Sequence, residues 1–453
     1  MSEELLYHVF KKNNMFFLID SNSQLFWNLK IGSENFEKIK DLNKLGFFTR
    51  KNNNLEPPKK IEQNDVNHIV INPSTNCNLD CWFCYSKEFR RKNANQLNFS
   101  DIRLIFESCI KYKNDINSNT DLSVSLGFTE EITLNFSLFL KVQQYLEKIK
   151  NNLNFNIYLF LPSTNLFEVN TGFIKYINEY GYLTVSLDLE NDKQKSKLYE
   201  NLKLFDSKVI KQLIIPFYAG KVKLYDIYKE HQNAFDFISL RPARVKPDSE
   251  FPWNKANLKY LKKEISGLFR NLLKREDKEI ITFLAKLGPT DFIGRYLEKI
   301  ITRKKSIFRC PAGRTAFAID TQLNIYPCSG LIGNSIFCLG KVDKEKERFE
   351  ISSNSVNNLT DITDCSDCPI RYYCGGPCMD WLYKQIGNLQ NSTNPYECSF
   401  NKLIFEEIIF FIYKLQKERK ELFTRILDIK GLKNNLNYSL DFEDFYQFFT
   451  KIV

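Results

Sequence analysis

Six short apolar runs rich in β-branched and aromatic residues alternate with amphipathic stretches through the middle of the chain. The runs are HIVINP (68–73), LSVSLGF (122–128), FNIYLFLP (155–162), YLTVSLDL (182–189), LIIPFY (213–218) and FDFISL (235–240). A repeated strand-then-helix order predicts parallel strands with helices on the outside. We therefore predict an α/β fold in which six such units curl into an open, partial barrel rather than a closed eightfold one, with the functional site on the loops after the strands.

The remaining chain divides by composition around this barrel. An N-terminal part with two strand-like runs around an SNS turn precedes a helical pattern, ENFEKIKDL, and a linker, NNNLEPPKK. We predict a small N-terminal α+β domain (1–66), the barrel (67–241), a helical bridge (242–306), a cysteine-rich domain (307–400) and a C-terminal helical segment (401–453).

Charge and hydropathy narrow the class of protein. The 453 residues carry a net charge of +10 that is spread along the chain, which is weak support for nucleic acid, and we expect no such partner. The opening MSEELLYHVFKK lacks the order of a signal peptide, and no apolar run reaches the length of a membrane span. We expect a cytoplasmic, reducing location, where 12 cysteines point to metal rather than to disulfides.

Three cysteines follow the first strand candidate within the run NPSTNCNLDCWFCY. Cys77, Cys81 and Cys84 are separated by three and then two residues, so one loop can place three thiolates around a soft metal centre. Three protein ligands would leave one iron of a 4Fe–4S cubane without a side chain. A structural zinc ion is the alternative, but it requires a fourth protein ligand.

This Cys-x3-Cys-x-aromatic-Cys motif after the first strand of a partial barrel resembles the radical S-adenosylmethionine superfamily. The resemblance implies that the amino and carboxylate groups of S-adenosylmethionine chelate the open iron and that Phe83 packs near the adenine. It further implies reductive cleavage of the cofactor to a 5′-deoxyadenosyl radical that abstracts a substrate hydrogen atom.

The same family places a Gly-Gly-Glu-Pro motif after its second strand to hold the amino group of the cofactor. This chain reads LGFTEEITLNF there, so Gly127 and Glu130 match, while the second glycine and the proline do not. The resemblance assigns Glu130 to the amino group. Ser186 and Asp188, at the end of the fourth strand, are further candidates for cofactor contacts, although alternating strand polarity explains them almost as well.

A second group of cysteines lies after residue 307, and it includes the run CSDCPIRYYCGGPC. Seven thiols exceed the four that one tetrahedral zinc ion uses, so two clusters fit better, with a zinc ribbon at residues 365–378 as the alternative. Their order resembles the SPASM extension of radical enzymes, which holds two auxiliary 4Fe–4S clusters. The resemblance implies a nearer set, Cys310, Cys328 and Cys378, and a distal set, Cys365, Cys368, Cys374 and Cys398.

The nearer set has only three members, so its cluster either keeps an open iron, which we favour, or takes Cys338 as a fourth ligand. Cys109 lies in a helical pattern and is predicted to be a buried apolar side chain. The histidines His8, His68 and His231 are far apart in sequence and form no ligand pattern.

Enzymes with this extension act on peptides and proteins, so the resemblance implies a peptide substrate. The N-terminal run resembles the opening of thioether-forming maturases of ribosomally synthesised peptides, whose small domain adds the leader of the precursor to a strand edge. We expect a precursor peptide with a leader and a reducing donor such as flavodoxin or ferredoxin as partners. The alternatives are an anaerobic maturase that oxidises a cysteine or serine side chain of a protein, and a non-catalytic iron–sulfur protein that binds a leader or transfers electrons.

Overall fold

The fold is described from a computed structural model of the chain. It covers residues 7–12, 15–20, 25–29, 65–87, 89, 95–218, 220–288, 290–302, 306, 308–351, 363–366, 368, 370–387 and 393–423. The predicted helix ENFEKIKDL, the linker NNNLEPPKK and the C-terminal LNYSLDFEDFYQFF lie outside the described residues.

The N-terminal runs form a three-stranded antiparallel sheet of β1 (Tyr7–Lys12), β2 (Met15–Asp20) and β3 (Leu25–Leu29), with β2 in the centre. This sheet contacts a long helix near the other end of the described chain, Pro395–Glu418. The ring of Phe17 packs edge-on against Phe410 and Tyr413, at centroid distances of 6.0 and 5.4 Å. Lys12 forms an ion pair with Glu407, which is buried.

All six predicted barrel strands are confirmed. They are β4 (His68–Ile71), β5 (Leu122–Leu126), β6 (Ile157–Phe160), β7 (Tyr182–Ser186), β8 (Ile210–Phe217) and β9 (Phe237–Pro242). Each group of three pairs in parallel, and a bridge between Thr164 and Val185 connects the two groups. The result is a partial (β/α)6 barrel.

Each barrel strand is followed by a helix. The helices are Phe99–Asp115, Phe136–Ile149, Thr171–Tyr180, Asp192–Leu202, Leu224–His231 and Lys255–Leu272. Four of them begin at an asparagine whose side chain accepts a hydrogen bond from the backbone N–H three residues later, namely Asn98, Asn170, Asn191 and Asn254. This cap satisfies a donor that the helix leaves free, so the asparagines fix where the helices start.

The cysteine-rich region continues the barrel sheet. Its strands are β10 (Ala316–Ile319), β11 (Asn324–Tyr326), β12 (Gly340–Asp343) and β13 (Arg348–Ile351). β10 pairs in parallel with β4, with Ala316 opposite His68, so one seven-stranded sheet runs from β13 to β6. The loop after β4 is therefore next to the region that holds the second group of cysteines.

Helices complete the second half of the chain. They are Asp277–Lys286, Phe292–Thr302, Thr363–Ser366, Arg371–Cys374, Met379–Ile386 and the long helix introduced above. Within the described stretches, every helix is too short or too polar to cross a bilayer.

Candidate functional site

The first three cysteines lie on the loop that follows β4. Cys77, Cys81 and Cys84 are all half-buried, and the N–H of Cys84 donates to the carbonyl of Cys81 at 3.2 Å. The loop starts at the buried Asn72, whose side-chain amide donates to the carbonyl of Ile319 on β10 at 3.1 Å. The loop is thus anchored at the junction between the barrel and the cysteine-rich region.

The donor chemistry of this loop suits an iron–sulfur cluster. Three thiols are soft ligands, which match iron in a sulfide-bridged cluster. Among the described residues, no three thiol, imidazole or carboxylate groups lie close enough to share one metal ion. The ligands of a four-iron cluster lie farther apart than those of a single ion, because four irons and four sulfides separate them.

The turn after β5 places a buried carboxylate beside this loop. Glu130 is 9% exposed, and the hydroxyl of Ser74 donates to its Oε2. Its Oε1 is buried and has no hydrogen-bond partner among the described residues. Burial raises the pKa of Glu130 to about 7, and the side chains of Ser74 and Asn135 oppose that shift. An unpartnered buried oxygen of this kind fits a ligand that brings a cationic donor.

The residues between Gly127 and Glu130 are bonded to the cysteine loop. The hydroxyl of Tyr85 donates to the carbonyl of Phe128 at 2.5 Å, and the Thr129 hydroxyl donates to the carbonyl of Ser74 at 2.7 Å. Phe128 is 42% exposed, so its side chain does not fill the space around the Glu130 carboxylate. The turn is therefore fixed to the cysteine loop by hydrogen bonds.

Glu131 forms a second link to the cysteine loop, which the sequence analysis missed. Its buried carboxylate accepts from the Thr164 hydroxyl at 2.6 Å and from the Asn165 N–H at 2.7 Å. The Asn165 amide in turn lies 3.8 Å from the Cys77 sulfur and donates to Asn78 Oδ1 at 2.7 Å. These partners are more than 30 residues from Glu131 or Asn165, so no local pattern could have shown them.

Asp188 holds the aromatic part of the cysteine loop. Its Oδ1 accepts from the indole N–H of Trp82 at 3.2 Å, and burial raises its pKa. The ring of Phe83 packs edge-on against Trp82, with centroids 5.3 Å apart. Ser186 contributes through its backbone, since its carbonyl accepts from Gln194 at 2.7 Å. Contacts of Phe83, Ser186 and Asp188 with a cofactor remain predictions.

Two cysteines of the nearer set, Cys378 and Cys328, lie within electrostatic range of Arg244. This guanidinium lies 3.5 Å from the Cys378 sulfur and 3.2 Å from Asp380 Oδ2. Burial raises the pKa of Cys328 to about 12, and the charges of Asp380, Cys378 and Cys310 raise it further. The charge of Arg244 opposes this shift. Cys378 and Cys310 are thus both within electrostatic range of Cys328.

The distal set shows the same kind of coupling. Burial raises the pKa of Cys365 to about 12, and the charges of Cys374, Cys368 and Cys398 raise it further. The amide of Asn401 donates to the Cys374 sulfur at 3.3 Å. The structure therefore gathers the four residues that the sequence grouped, and their role as ligands remains a prediction.

Cys338 and Cys109 belong to neither set. The thiol of Cys338 is exposed and donates to the carbonyl of Gly340 at 3.3 Å. Cys109 is fully buried in the apolar core, as predicted.

The chain was compared with known proteins in sequence and in fold. No protein-family model matches the chain. An uncharacterized protein of Methanocaldococcus jannaschii is 22% identical over 292 residues, which are 62% of this chain and 91% of that protein. The solved structure of anSMEcpe with bound AdoMet aligns with a TM-score of 0.58 at 16% identity, over 81% of this chain and 99% of that chain. The same protein with AdoMet and the Kp18Cys peptide aligns with a TM-score of 0.56 at 16% identity, over 78% and 99% of the two chains. The chain shares the fold of anSMEcpe.

Proposed function

We propose that this chain is a radical S-adenosylmethionine enzyme that modifies a peptide. Cys77, Cys81 and Cys84 would hold a 4Fe–4S cluster with one iron left for the cofactor. The observation that carries this proposal is the buried Oε1 of Glu130. This oxygen accepts no hydrogen bond from the described part of the chain and belongs to a turn bonded to the cysteine loop. Bound together, the reduced cluster and S-adenosylmethionine supply a carbon radical that abstracts a substrate hydrogen atom.

In this scheme, the residues of the chain bind the cofactor and the cluster and fix their orientation. The Glu130 carboxylate would accept the ammonium group of the cofactor, while Ser74 fixes its other oxygen. Asn165, held by the Glu131 carboxylate, directs an N–H toward the Cys77 sulfur. Hydrogen bonds to a cluster thiolate stabilise its negative charge and adjust its reduction potential.

The second cysteine group would hold two auxiliary clusters, giving three clusters in all. Cys310, Cys328 and Cys378 would ligate the nearer one, and Cys365, Cys368, Cys374 and Cys398 the distal one. The nearer cluster would either keep an open iron or take Cys338 as its fourth ligand, and we favour the open iron. A reducing donor such as flavodoxin or ferredoxin would supply electrons.

The substrate would be a ribosomally synthesised precursor peptide that receives a thioether or carbon cross-link. The neighbouring fold of anSMEcpe was solved with a peptide, which supports this class of substrate. The N-terminal sheet has β1 and β3 at its edges, and a strand edge can bind an extended leader through backbone hydrogen bonds. Modification of a cysteine or serine side chain in a folded protein is the competing substrate class.

The test is anaerobic reconstitution with iron and sulfide, followed by assay of 5′-deoxyadenosine after reduction in the presence of S-adenosylmethionine. We expect product from the native chain and none when Cys77, Cys81 and Cys84 are all replaced by alanine. Cys109→Ala is the control, since this thiol is buried in the core away from the loop. A native chain that holds the iron and yields no 5′-deoxyadenosine would overturn the proposal in favour of a leader-binding or electron-transfer role.

A further inference from the structure

The two faces of the barrel sheet differ in chemistry, and the inner face carries aromatic rings on one side and a cationic side chain on the other. The outer, helix-covered face is apolar and fully buried, as shown by Val124 and Leu213. The strand register places Tyr158 and Phe160 of β6 on the opposite face, and these rings are 47% and 46% exposed. Across the barrel, the register between β8 and β9 places Arg241 on the inner face, at the carboxyl end of β9.

Arg241 is held in place by a chain of hydrogen bonds across three strands. Its Nη2 and Nε donate to the hydroxyl of Thr290 at 2.6 and 3.1 Å. Thr290 donates to the hydroxyl of Ser239 at 3.1 Å, and the Gln212 amide donates to the same oxygen at 3.1 Å. Tyr182 completes the chain by donating to Gln212. The guanidinium is therefore oriented by neutral groups.

Close packing at Gly288 supports this arrangement. A Cβ atom there would lie 2.2 Å from the Ser239 hydroxyl oxygen and 3.1 Å from the Gln212 amide nitrogen. Only a residue without a side chain lets the backbone pass so near to the hydrogen-bond chain. The polar chain is thus a built feature of the barrel.

No carboxylate of the described residues forms an ion pair with Arg241, and the charge of Asp291 acts on it from farther away by raising its pKa. Among the described residues, no carboxylate oxygen lies within 4.0 Å of its guanidinium, whereas the neighbouring Arg244 is paired with Asp380. The nearby Asp291 is engaged elsewhere, by the Tyr228 hydroxyl at 2.7 Å and the Leu240 N–H at 2.8 Å. Burial lowers the pKa of Arg241 to about 10, and the charge of Arg244 adds to that shift, so the group stays cationic at neutral pH.

We propose that Arg241 binds a carboxylate of the substrate, so that the peptide segment in the barrel carries an acidic group close to the residue that is modified. The inference rests on the proposed function for its peptide substrate. The Nη1 group makes no hydrogen bond to the described residues, and a planar guanidinium forms short, charge-assisted bonds to carboxylates. The exposed rings of Tyr158 and Phe160 offer an apolar surface for neighbouring side chains.

Equilibrium binding of capped peptides to the reconstituted full chain tests this. The probes are N-acetylated, C-amidated pentapeptides with phenylalanine beside a central Asp, Asn or Lys, plus an Asn peptide with a free carboxyl terminus. We expect at least one carboxylate-bearing probe to bind on the order of tenfold more tightly than the capped Asn peptide. Preference for the central Asp identifies a side-chain carboxylate, and preference for the free terminus identifies a chain end.

Variants complete the test. Arg241→Gln should abolish the preference, Arg241→Lys should keep part of it because the charge remains, and the exposed Arg270→Gln should keep all of it. Equal binding of all probes by the native chain, or an unchanged preference in a folded, iron-loaded Arg241→Gln protein, would overturn the inference. Because binding does not consume S-adenosylmethionine, a failure here is distinct from a failure to form 5′-deoxyadenosine.

Discussion

A Cβ atom on Gly127 would stand 2.8 Å from Oε1 of Glu130, the oxygen to which no described residue donates a hydrogen bond. Gly127 also has a φ of +80°, a backbone conformation that residues with side chains rarely adopt. We predict that Gly127→Ala displaces the carboxylate and weakens S-adenosylmethionine binding about tenfold or more, with a loss of roughly 1 kcal/mol in stability. Isothermal titration measures the first effect. Gly181→Ala is the control, since it shares a positive φ but meets no atom within 4 Å. Equal affinities for the cofactor in the two variants would contradict the prediction.

Glu130 should make the cofactor-free protein less stable as the pH rises. Its pKa in the folded state is about 7, above the usual ~4.3 of the unfolded chain, so folding favours the protonated form. Protonation of Glu130 in both states removes this destabilisation below pH ~4. The destabilisation grows as the pH rises and levels off above pH ~7 at no more than about 4 kcal/mol.

Glu130→Gln stays neutral, so we expect its stability relative to the native chain to improve between pH 5 and pH 8. Urea unfolding of the cofactor-free proteins at both pH values measures this difference. S-adenosylmethionine should reverse the order at pH 8, because it stabilises the native chain more than the variant. A stability difference that does not change with pH would rule out a buried, proton-holding carboxylate at this position.

Local patterns predicted the strands well, because a buried strand between amphipathic helices has a distinct period in the sequence. The candidate Glu130 came instead from the resemblance of LGFTEEITLNF to a family motif, and its role in cofactor binding stays a prediction. Local patterns did not locate Asn165 or Arg241, whose significance depends on partners in other parts of the chain. The parallel pairing of β10 with β4 was also beyond them, because it joins segments about 250 residues apart with no periodic signal between them.

Analysis of iron and zinc should show whether the second cysteine group holds iron–sulfur clusters or a zinc ion. Three clusters imply about twelve irons per chain, and Cys398→Ala should lose about four of them with its distal cluster. Cys338→Ala is the comparison variant, and it should keep its iron because we propose an open iron in the nearer cluster. One zinc per chain with fewer irons would instead support a zinc ribbon at residues 365–378, and iron loss in Cys338→Ala would identify a fourth ligand.

The ion pair between Arg309 and Glu397 connects the nearer and the distal set of cysteines. Glu397 is 1% exposed, lies 2.5 Å from the Arg309 guanidinium and accepts from the Cys378 N–H at 3.1 Å. Arg309 precedes Cys310, and Glu397 precedes Cys398, so the pair connects ligand candidates of both sets.

Because Glu397→Gln leaves a buried guanidinium without its counter-ion, we expect a loss of roughly 3–5 kcal/mol in the stability of this region. The measurement is the urea concentration at which the iron–sulfur absorption disappears. Adding Arg309→Gln should cost less than the sum of the single losses, since the two residues act as a unit. Glu350→Gln, which breaks an exposed pair with Lys346, should change little. Additive losses in the double variant would show that the two charges act independently.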